Sequence, residues 1–428
     1  MSIGYLKYYS LSNWLSKSGQ EKEKKEDKEK NTEDKEKEDQ EKKEEDKTIN
    51  FFFYIEILLF KNHLINNYMK NYRLGIHEKI IEPLEIMTTE KIFNSGLLLT
   101  MKCKIDAIPS KTWEITKKMI NKYEFIYTSS NRSKNICNIV PVSRSYFKLY
   151  EIVHDLQLLN NNIYCACLAE GPGGFIHCLN DIDQRGDYKI NKTYGITLKS
   201  NDKTIPYWNT SLFNHRNTLL FGEDGTGDLY NHKNIQSVID EIGDRKCHLV
   251  TADGGFDYSQ NYNLQEESSY QLLFSEIFTA LHIQAINGNF VLKVFDLFHY
   301  KTIQLIYLLY NHYSYIEIYK PTTSRLSNSE KYIVCSEFKG MTDSVRELLN
   351  QSLKDHTNFK IKVPDSFINE IMKYNQQFVN LQIDTIKTII QNIGKFKQVY
   401  PTQKQITNAI AWCESYKLPI NTDCIYLK

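Results

Sequence analysis

The sequence predicts an open, mostly parallel α/β sheet with an N-terminal extension and a C-terminal helical extension. Three observations predict it. From about Lys111, short apolar runs rich in β-branched and aromatic residues alternate with segments of helical periodicity. Several of those runs end in glycine or a charged residue, as strands do where they deliver the chain to the rim of a sheet. After Lys360 the strand-like runs cease and helical spacing takes over. With 428 residues, 41% of them hydrophobic, the chain is long enough to bury a full core in one large domain or two.

The N-terminal third is irregular. Residues 1–18 form a short aromatic segment, and 19–48 a charged low-complexity insert. Between Glu21 and Lys47 it holds 10 basic and 14 acidic residues. Such a run cannot bury an apolar face, so a disordered or solvated insert is expected. Without it the remainder is mildly basic, which permits a polyanionic partner. Residues 49–110 mix both periodicities and are expected to form an N-terminal subdomain. Its run "FFFYIEILLF" is too short to span a bilayer and carries Glu56, so it reads as a core strand, and no membrane partner is expected. The N-terminus lacks the layout of a secretion signal. The nine cysteines form no CxxC pair, and Cys165 and Cys167 would point to opposite faces of a strand. Neither a zinc site nor a disulfide framework is expected, and the default compartment is reducing.

Residues 111–345 carry the regular pattern. "SRSYFKLYEIVHDLQLL" (Ser143–Leu159) has apolar residues at helical spacing behind a serine, predicting a capped amphipathic helix. "NIYCACLAEGPGGF" predicts a strand entering a glycine-rich turn, "YGITL" a second strand, "NTLLFGEDGTGDL" a third and "CHLVTADGGFD" a fourth. "ESSYQLLFSEIFTALHIQAINGN" predicts a long helix stopped by Asn-Gly, followed by a fifth strand, "NFVLKVFD". "TIQLIYLLYNHY" is a helix, and "YIEIYKP" and "SEKYIVCSEF" are closing strands. In the extension, 346–428, a helix should start at Asp365 or Ser366 and stop at Gly394, with another around "KQITNAIAWCESY".

In doubly wound sheets ligands sit beyond the carboxyl ends of the strands. The first strand ends in "AEGPGGF", where glycines let backbone approach a ligand and N–H groups can face an anion. This is neither G-x-G-x-x-G nor a P-loop. The third leads into "GEDGTGDL", whose Asp224 and Asp228 suit an adenine amino group or a ribose, although an Asx-turn explains Asp224 equally well. The fourth ends at Asp253 before two glycines. The fifth holds Lys293 within the apolar run Phe290–Phe295, and a buried ammonium needs a partner or a shifted pKa. Lys148, on the helix before the first strand, and Glu330, opening "EKYIVC", complete a set of four charges on four elements. Each alone reads more simply as a surface charge.

The ordered series "SRSYFKL", "AEGPGGF", "TADGGFD", "FVLKVFD" and "SNSEKYIVC" resembles the FtsJ/RrmJ-like ribose 2′-O-methyltransferases. "FGEDGTGDL", "LVTADGGFD" and "KPTTSRLSNSEKYIVC" together look most like the Adrift-type mRNA cap methyltransferases of animals and large DNA viruses. The resemblance covers roughly Lys111–Lys339. It implies a Rossmann-like S-adenosylmethionine-dependent methyltransferase sheet with Lys148, Asp253, Lys293 and Glu330 at the family's Lys-Asp-Lys-Glu catalytic positions. By the same resemblance Glu170, Gly171, Pro172, Gly173, Gly174 and Phe175 would hold the methionine end of S-adenosyl-L-methionine, with Asp253 beside it and Asp228 at the adenine. Bacterial members carry an acidic residue after the second strand for the cofactor ribose. Here "GITLKS" places Thr197 there, leaving that contact unassigned.

A ribose hydroxyl is a poor nucleophile near neutral pH and needs an acceptor or electrostatic support together with alignment. A lysine serves as base when burial and a second lysine lower its pKa. Lys293 is therefore expected as principal base or orienting group, with Asp253 as partner and Lys148 and Glu330 balancing charge. The implied substrate is the first or second nucleotide of capped mRNA. The alternatives are an internal ribose of rRNA or tRNA and a catalytically idle RNA-binding scaffold. Ser143 and Arg144 are candidates for RNA phosphate, against a helix cap and a surface arginine. The implied partners are the capped 5′ end and other capping or transcription proteins; no metal is required. The Asn-, Ile-, Lys- and Tyr-rich composition suggests an AT-rich genome. That implies cytoplasm, with a possible virion association, for a viral protein and the nucleus for a cellular one.

Overall fold

The computed structural model describes residues 70–84, 90–202, 205–255, 264–355 and 359–428. The charged insert and the expected strand at 51–60 lie outside the described residues.

Among the described residues, eight strands form one sheet: β1 (Asn71–Arg73), β2 (Ile163–Leu168), β3 (Ile190–Ile196), β4 (Asn217–Leu220), β5 (Cys247–Ala252), β6 (Gln284–Val294), β7 (Tyr313–Tyr319) and β8 (Lys331–Phe338). Their spatial order is β1-β7-β8-β6-β5-β2-β3-β4. The run from β6 to β4 is parallel, and β8, β7 and β1 add on antiparallel. The chain builds outward from β2 to β4, then returns to place β5 on the other flank of β2. The switch point therefore falls between β2 and β5, where such sheets bind ligands. β1 comes from the segment expected as an N-terminal subdomain, and it pairs with β7 as an edge of this same sheet.

Strand parity sets what faces what, because successive side chains alternate. One face, with Val250, Phe290, Leu292, Ile333 and Cys335, is covered by helices His232–Ile242, Gln265–Ile283 and Tyr300–His312. The other, with Cys165, Cys167, Leu249, Val291 and Val334, is covered by helices Ser145–Asp155, Gly174–Arg185 and Gln403–Ser415. Lys293 follows Val291 by two residues and so belongs to this second face, at the end of its strand.

Two expected boundaries move. The helix predicted to stop at Asn-Gly ends at Ile283, and Asn287-Gly288 lies within β6. There the β5–β6 register shifts between Cys247 and Leu249, and Asn287 takes a left-handed φ of 59°. Gln284 anchors this bulge: Nε2 donates to the carbonyls of Cys247 (3.0 Å) and Asn289 (3.1 Å), while Oε1 accepts from the Tyr313 hydroxyl (3.0 Å). A side chain that satisfies backbone across a bulge outweighs the local turn signal. The second is the helix expected over Ser143–Leu159, which spans Ser145–Asp155 with Arg144 at its N-cap and no side-chain cap bond. Ser143 instead accepts from the adjacent Ser145 amide at 3.3 Å.

In the extension, helix Asp365–Gln391 starts after Pro364 and is followed by Gly394 at φ 82°. Phe367, Ile371, Tyr374 and Phe378 join the main core, and Val379, Ile383 and Ile386 pack with Leu98, Met101 and Phe298. Helix Gln403–Ser415 opens with a reciprocal capping box between Thr402 and Gln405. Among the described residues, no helix is long and apolar enough to cross a membrane.

Candidate active site

Register brings the charged residues together before any side chain is considered. Ala252 pairs with Leu292, so Asp253 and Lys293 emerge side by side from neighbouring parallel strands. Lys293 pairs across the antiparallel ladder with Tyr332, and Glu330 lies two residues before Tyr332 on the same face. Lys293 Nζ donates to the Asp253 carbonyl at 2.6 Å and lies 3.3 Å from Asp253 Oδ1. That carboxylate oxygen also accepts from the Tyr332 hydroxyl at 3.0 Å. The side chains of Lys293 and Asp253 are 11% and 12% exposed, enough to meet a substrate and too little to be solvated.

The second pair faces the first. Lys148, on the helix covering this face, donates to Glu330 Oε2 at 2.9 Å and lies 2.7 Å from Oε1. The Ser324 hydroxyl donates to Oε1 at 2.9 Å. Burial would raise the Glu330 pKa, but Lys148, Lys293 and Lys320 outweigh it and hold it at about 2. Glu330 is thus a fixed anion.

Lys293 departs from expectation in one respect. Burial does act to lower its pKa, as foreseen for a base. Asp253, Glu330 and Glu276 act in the opposite sense and leave it raised above the ordinary lysine value. Asp253 and Glu330 foremost hold this desolvated amine as an ammonium, and Glu276, itself pushed up to about 8 by burial, adds to them only when ionised. Of the two expected roles, base and orienting group, an ammonium held by neighbouring carboxylates suits the second.

The glycine-rich turn is at the switch point, but its six residues are not equivalent. Gly171 and Pro172 are partly exposed, whereas Gly173, Gly174 and Phe175 are buried. Gly173 takes a φ of 107°, which favours glycine. Glu170 is 2% exposed, and its carboxylate accepts from the amides of Phe175 (2.6 Å) and Ile176 (3.4 Å), closing the N-terminus of helix Gly174–Arg185. Burial raises its pKa well above the carboxylate range despite those amides. Glu170 and Phe175 therefore shape the turn from within, and the surface open to a ligand is Gly171–Pro172.

At the tip of β4, Asp224 accepts from the Thr226 amide (2.9 Å) and hydroxyl (2.6 Å) and from Asn231 (2.8 Å), which is the Asx-turn alternative. Asp228 is half-buried, with Oδ1 accepting from the Tyr230 amide at 2.8 Å. Gly227, at φ 68°, brings this loop so close to the end of β3 that a Cβ would collide with the Thr197 carbonyl. The Thr197 hydroxyl accepts from the Gly171 amide at 3.1 Å, tying the turn to β3. Turn, loop and Asp253 therefore lie together at the carboxyl ends of β5, β2, β3 and β4.

Arg144 is committed elsewhere. Its Nη1 donates to the Tyr127 carbonyl (2.6 Å) and contacts Glu124 (3.4 Å), while Nε donates to the Thr323 carbonyl (3.2 Å). Glu124 is fully buried and is also gripped by Arg325 at 2.9 and 2.7 Å. Arg144 and Ser143 thus hold the helix that carries Lys148 and are not arranged as a phosphate clamp. Four residues at the site escaped sequence reading: Tyr332, Ser324, Lys320 and Glu276. Glu276 is 2% exposed and accepts from the Gly254 amide at 3.2 Å, directly behind Asp253. Its signal was an acid in the midst of the apolar run "LLFSEIFTALHI". Among the described residues, no three His, Cys, Asp or Glu side chains are grouped to hold a metal ion.

Comparison with known proteins agrees with this geometry. Residues 141–338 match the model of the FtsJ-like methyltransferase family. The chain is 35% identical over 277 residues to mouse cap-specific mRNA (nucleoside-2′-O-)-methyltransferase 1, covering 59% of this chain and 32% of that protein. Its human counterpart is 29% identical over 365 residues, covering 78% and 42%. Cap-specific mRNA (nucleoside-2′-O-)-methyltransferase 2 of the orangutan Pongo abelii is 28% identical over 365 residues, covering 78% and 46%. The chain thus spans less than half the length of each of these animal relatives. The matched segment runs from just before the helix bearing Lys148 to the end of β8, encloses all four clustered charges and makes this part of the chain similar to the FtsJ-like methyltransferases.

Proposed function

We propose that this chain transfers a methyl group from S-adenosyl-L-methionine to the ribose 2′-oxygen of the first or second nucleotide of capped mRNA. The observation that carries the reading is the convergence of two lysine–carboxylate pairs, Lys293–Asp253 and Lys148–Glu330, on one face at the carboxyl end of the sheet. The relatives named above, all described as cap-specific mRNA 2′-O-methyltransferases, supply the choice of substrate.

The donor supplies an electrophilic methyl on a sulfonium. Gly171–Pro172 and Asp228 would hold its two ends, and Asp253 separates it from the lysines. Lys293, kept charged by Asp253 and Glu330, directs an N–H at the 2′-oxygen and stabilises the negative charge that develops as the hydroxyl loses its proton. Asp253 is the acceptor for that proton, because Glu330 is held as an anion by its lysines. Lys148, fixed by Glu330, bounds the other side and restricts the oxygen to an in-line approach. The new O–CH3 bond forms as the S–CH3 bond breaks, and sulfur becomes neutral.

The test is transfer of labelled methyl to three RNAs of one sequence: uncapped, capped with unmethylated riboses, and capped with the first ribose already methylated. Transfer confined to capped RNA supports the reading, and the premethylated RNA separates the first nucleotide from the second. Equal transfer to uncapped RNA would replace it with an internal-ribose activity, and donor binding without transfer to any RNA with an idle subunit.

A further inference from the structure

Between β7 and β8 the chain makes a strap, residues 320–330, whose last residue is Glu330. We propose that the C-terminal helix Asp365–Gln391 is a positioning element for this strap. Through Phe378, Gln382 and the buried Lys320 it sets where the Glu330 carboxylate stands against Lys148. This rests on the methyltransferase reading and assigns a task to an extension outside the matched family segment, 141–338.

The contacts come in two tiers. Lys320 is 3% exposed, and its Nζ donates to the Asn328 carbonyl at 2.9 Å and to the Glu330 carbonyl. Lys331, 1% exposed, donates to the Ser329 carbonyl at 3.0 Å and to the Phe295 carbonyl. The two ammonium groups thus grip the backbone immediately before and at Glu330. The C-terminal helix holds both. The Phe378 ring lies 5.6 Å from Lys320 Nζ and 4.5 Å from Lys331 Nζ, within cation–π range. One turn on, Gln382 Nε2 donates to the Ser327 carbonyl at 3.0 Å and the Ser329 hydroxyl at 3.3 Å. Asn375, one turn before, donates to the Leu297 carbonyl at 2.6 Å, fixing the helix to the chain leaving β6.

A stabilising contact alone would not be built this way. Two ammonium groups buried side by side are costly, and apolar side chains of similar volume would serve stability as well or better. Burial, with Lys331 and Lys148 nearby, pushes Lys320 down to about 7 against the pull of Glu330. What the arrangement provides is direction: carbonyls held by two buried amine donors and an aromatic face fix the strap where a small displacement of Glu330 would misalign Lys148.

The test compares Phe378→Leu, Gln382→Met and a control, Gln405→Met, in the full chain. Gln405 is also buried in the extension and donates to three carbonyls, of Lys118, Met119 and Asn121, but does not touch the strap. Steady-state methyl transfer, thermal melting and amide hydrogen exchange over 324–331 are measured for each. Phe378→Leu and Gln382→Met are expected to lower kcat about tenfold, to change KM for donor and RNA less than about twofold, and to speed strap exchange. Gln405→Met is expected to lower the melting temperature by a similar amount with kcat and strap exchange unchanged. Equal loss of kcat in all three variants, or unchanged strap exchange in the first two, would overturn the proposal. A wild-type chain that binds donor but transfers no methyl would overturn the methyltransferase reading instead, and strap exchange would still decide whether the helix holds the strap.

Discussion

The two ends of the sheet differ in a way that volume does not reveal. At the amino end of the parallel strands lies a cleft of about 730 Å3, lined by Asn71, Arg73, Gln157, Asn287, Asn289 and Glu317 among others. At the carboxyl end, the cavity between Glu276 and Lys293 is about 20 Å3, room for about one water. The large cleft is chemically quiet. Arg73 is 59% exposed, bonds Glu317 at 2.9 Å and rests on the Tyr315 ring, and Asn289 donates to the Leu158 carbonyl at 2.8 Å. At the other end four charges, none with a side chain more than 15% exposed, face one another with their pKa values displaced in opposite directions at Glu330 and Lys293. Desolvated charge that the fold must hold in place marks the site; space does not.

That contrast is tested most severely by removing Lys293. Lys293→Ala should lower kcat by at least about 10^3-fold while calorimetry shows donor binding retained, because the ammonium acts on charge that develops during transfer. Retention of a tenth of the activity would break the contrast. Glu330→Gln should cost about 10^2-fold by freeing Lys148.

Glu330 also predicts a pH signature. Its folded pKa, about 2, lies below the ordinary 4.5, so its contribution to stability is present above 4.5 and is lost as pH falls toward 2. The wild type should therefore lose more stability than Glu330→Gln over that window in denaturant titrations.

Smaller effects sharpen the picture. Tyr332→Phe removes one hydrogen bond to Asp253, worth about 1.5 kcal/mol to a charged acceptor, and should slow transfer roughly tenfold. Glu276 has the opposite linkage to Glu330. Burial raises its pKa to about 8, so its contribution is full below 4.5 and is lost as pH rises toward 8. Glu276→Gln should flatten the melting temperature across that range, and an unchanged profile would show Glu276 ionised throughout. At the far end, Arg73→Ala should leave kcat within about twofold and cost about 1–3 kcal/mol of stability, because it leaves the buried Glu317 carboxylate without its cation.

What the sequence made legible follows the same division. Strand cores and their charged termini could be read because β-periodicity and a break in apolarity are local signals. Hence Lys148 and Lys293 lie on the helix and strand expected of them and Asp253 just past its strand, while Glu330, expected to open a strand, lies in the strap just before β8. What could not be read depends on register and on neighbours distant in sequence. Tyr332 looks like strand core in "KYIVC" until pairing places it opposite Lys293. The Asn-Gly at 287–288 looks like a helix stop until Gln284 is seen bridging the bulge. Which of the two expected roles suits Lys293 could not be read, because the acids that raise its pKa include Glu276, hidden in a helix. Arg144 read as either an RNA-phosphate contact or a surface arginine because Glu124 and Thr323, which engage it, are far away in the chain. The three-residue β1 is too short to carry a pattern at all.

The most direct measurement is the position of the transferred methyl. Capped RNA methylated by the wild type is digested with a nuclease that requires a free 2′-hydroxyl, and the cap-proximal fragment is analysed by mass spectrometry beside RNA treated with Lys293→Ala. The account predicts one added methyl on the ribose of the first or second nucleotide, a resistant bond on its 3′ side, and neither with the variant. A methyl on a base, on the cap guanine or on an internal ribose would contradict it.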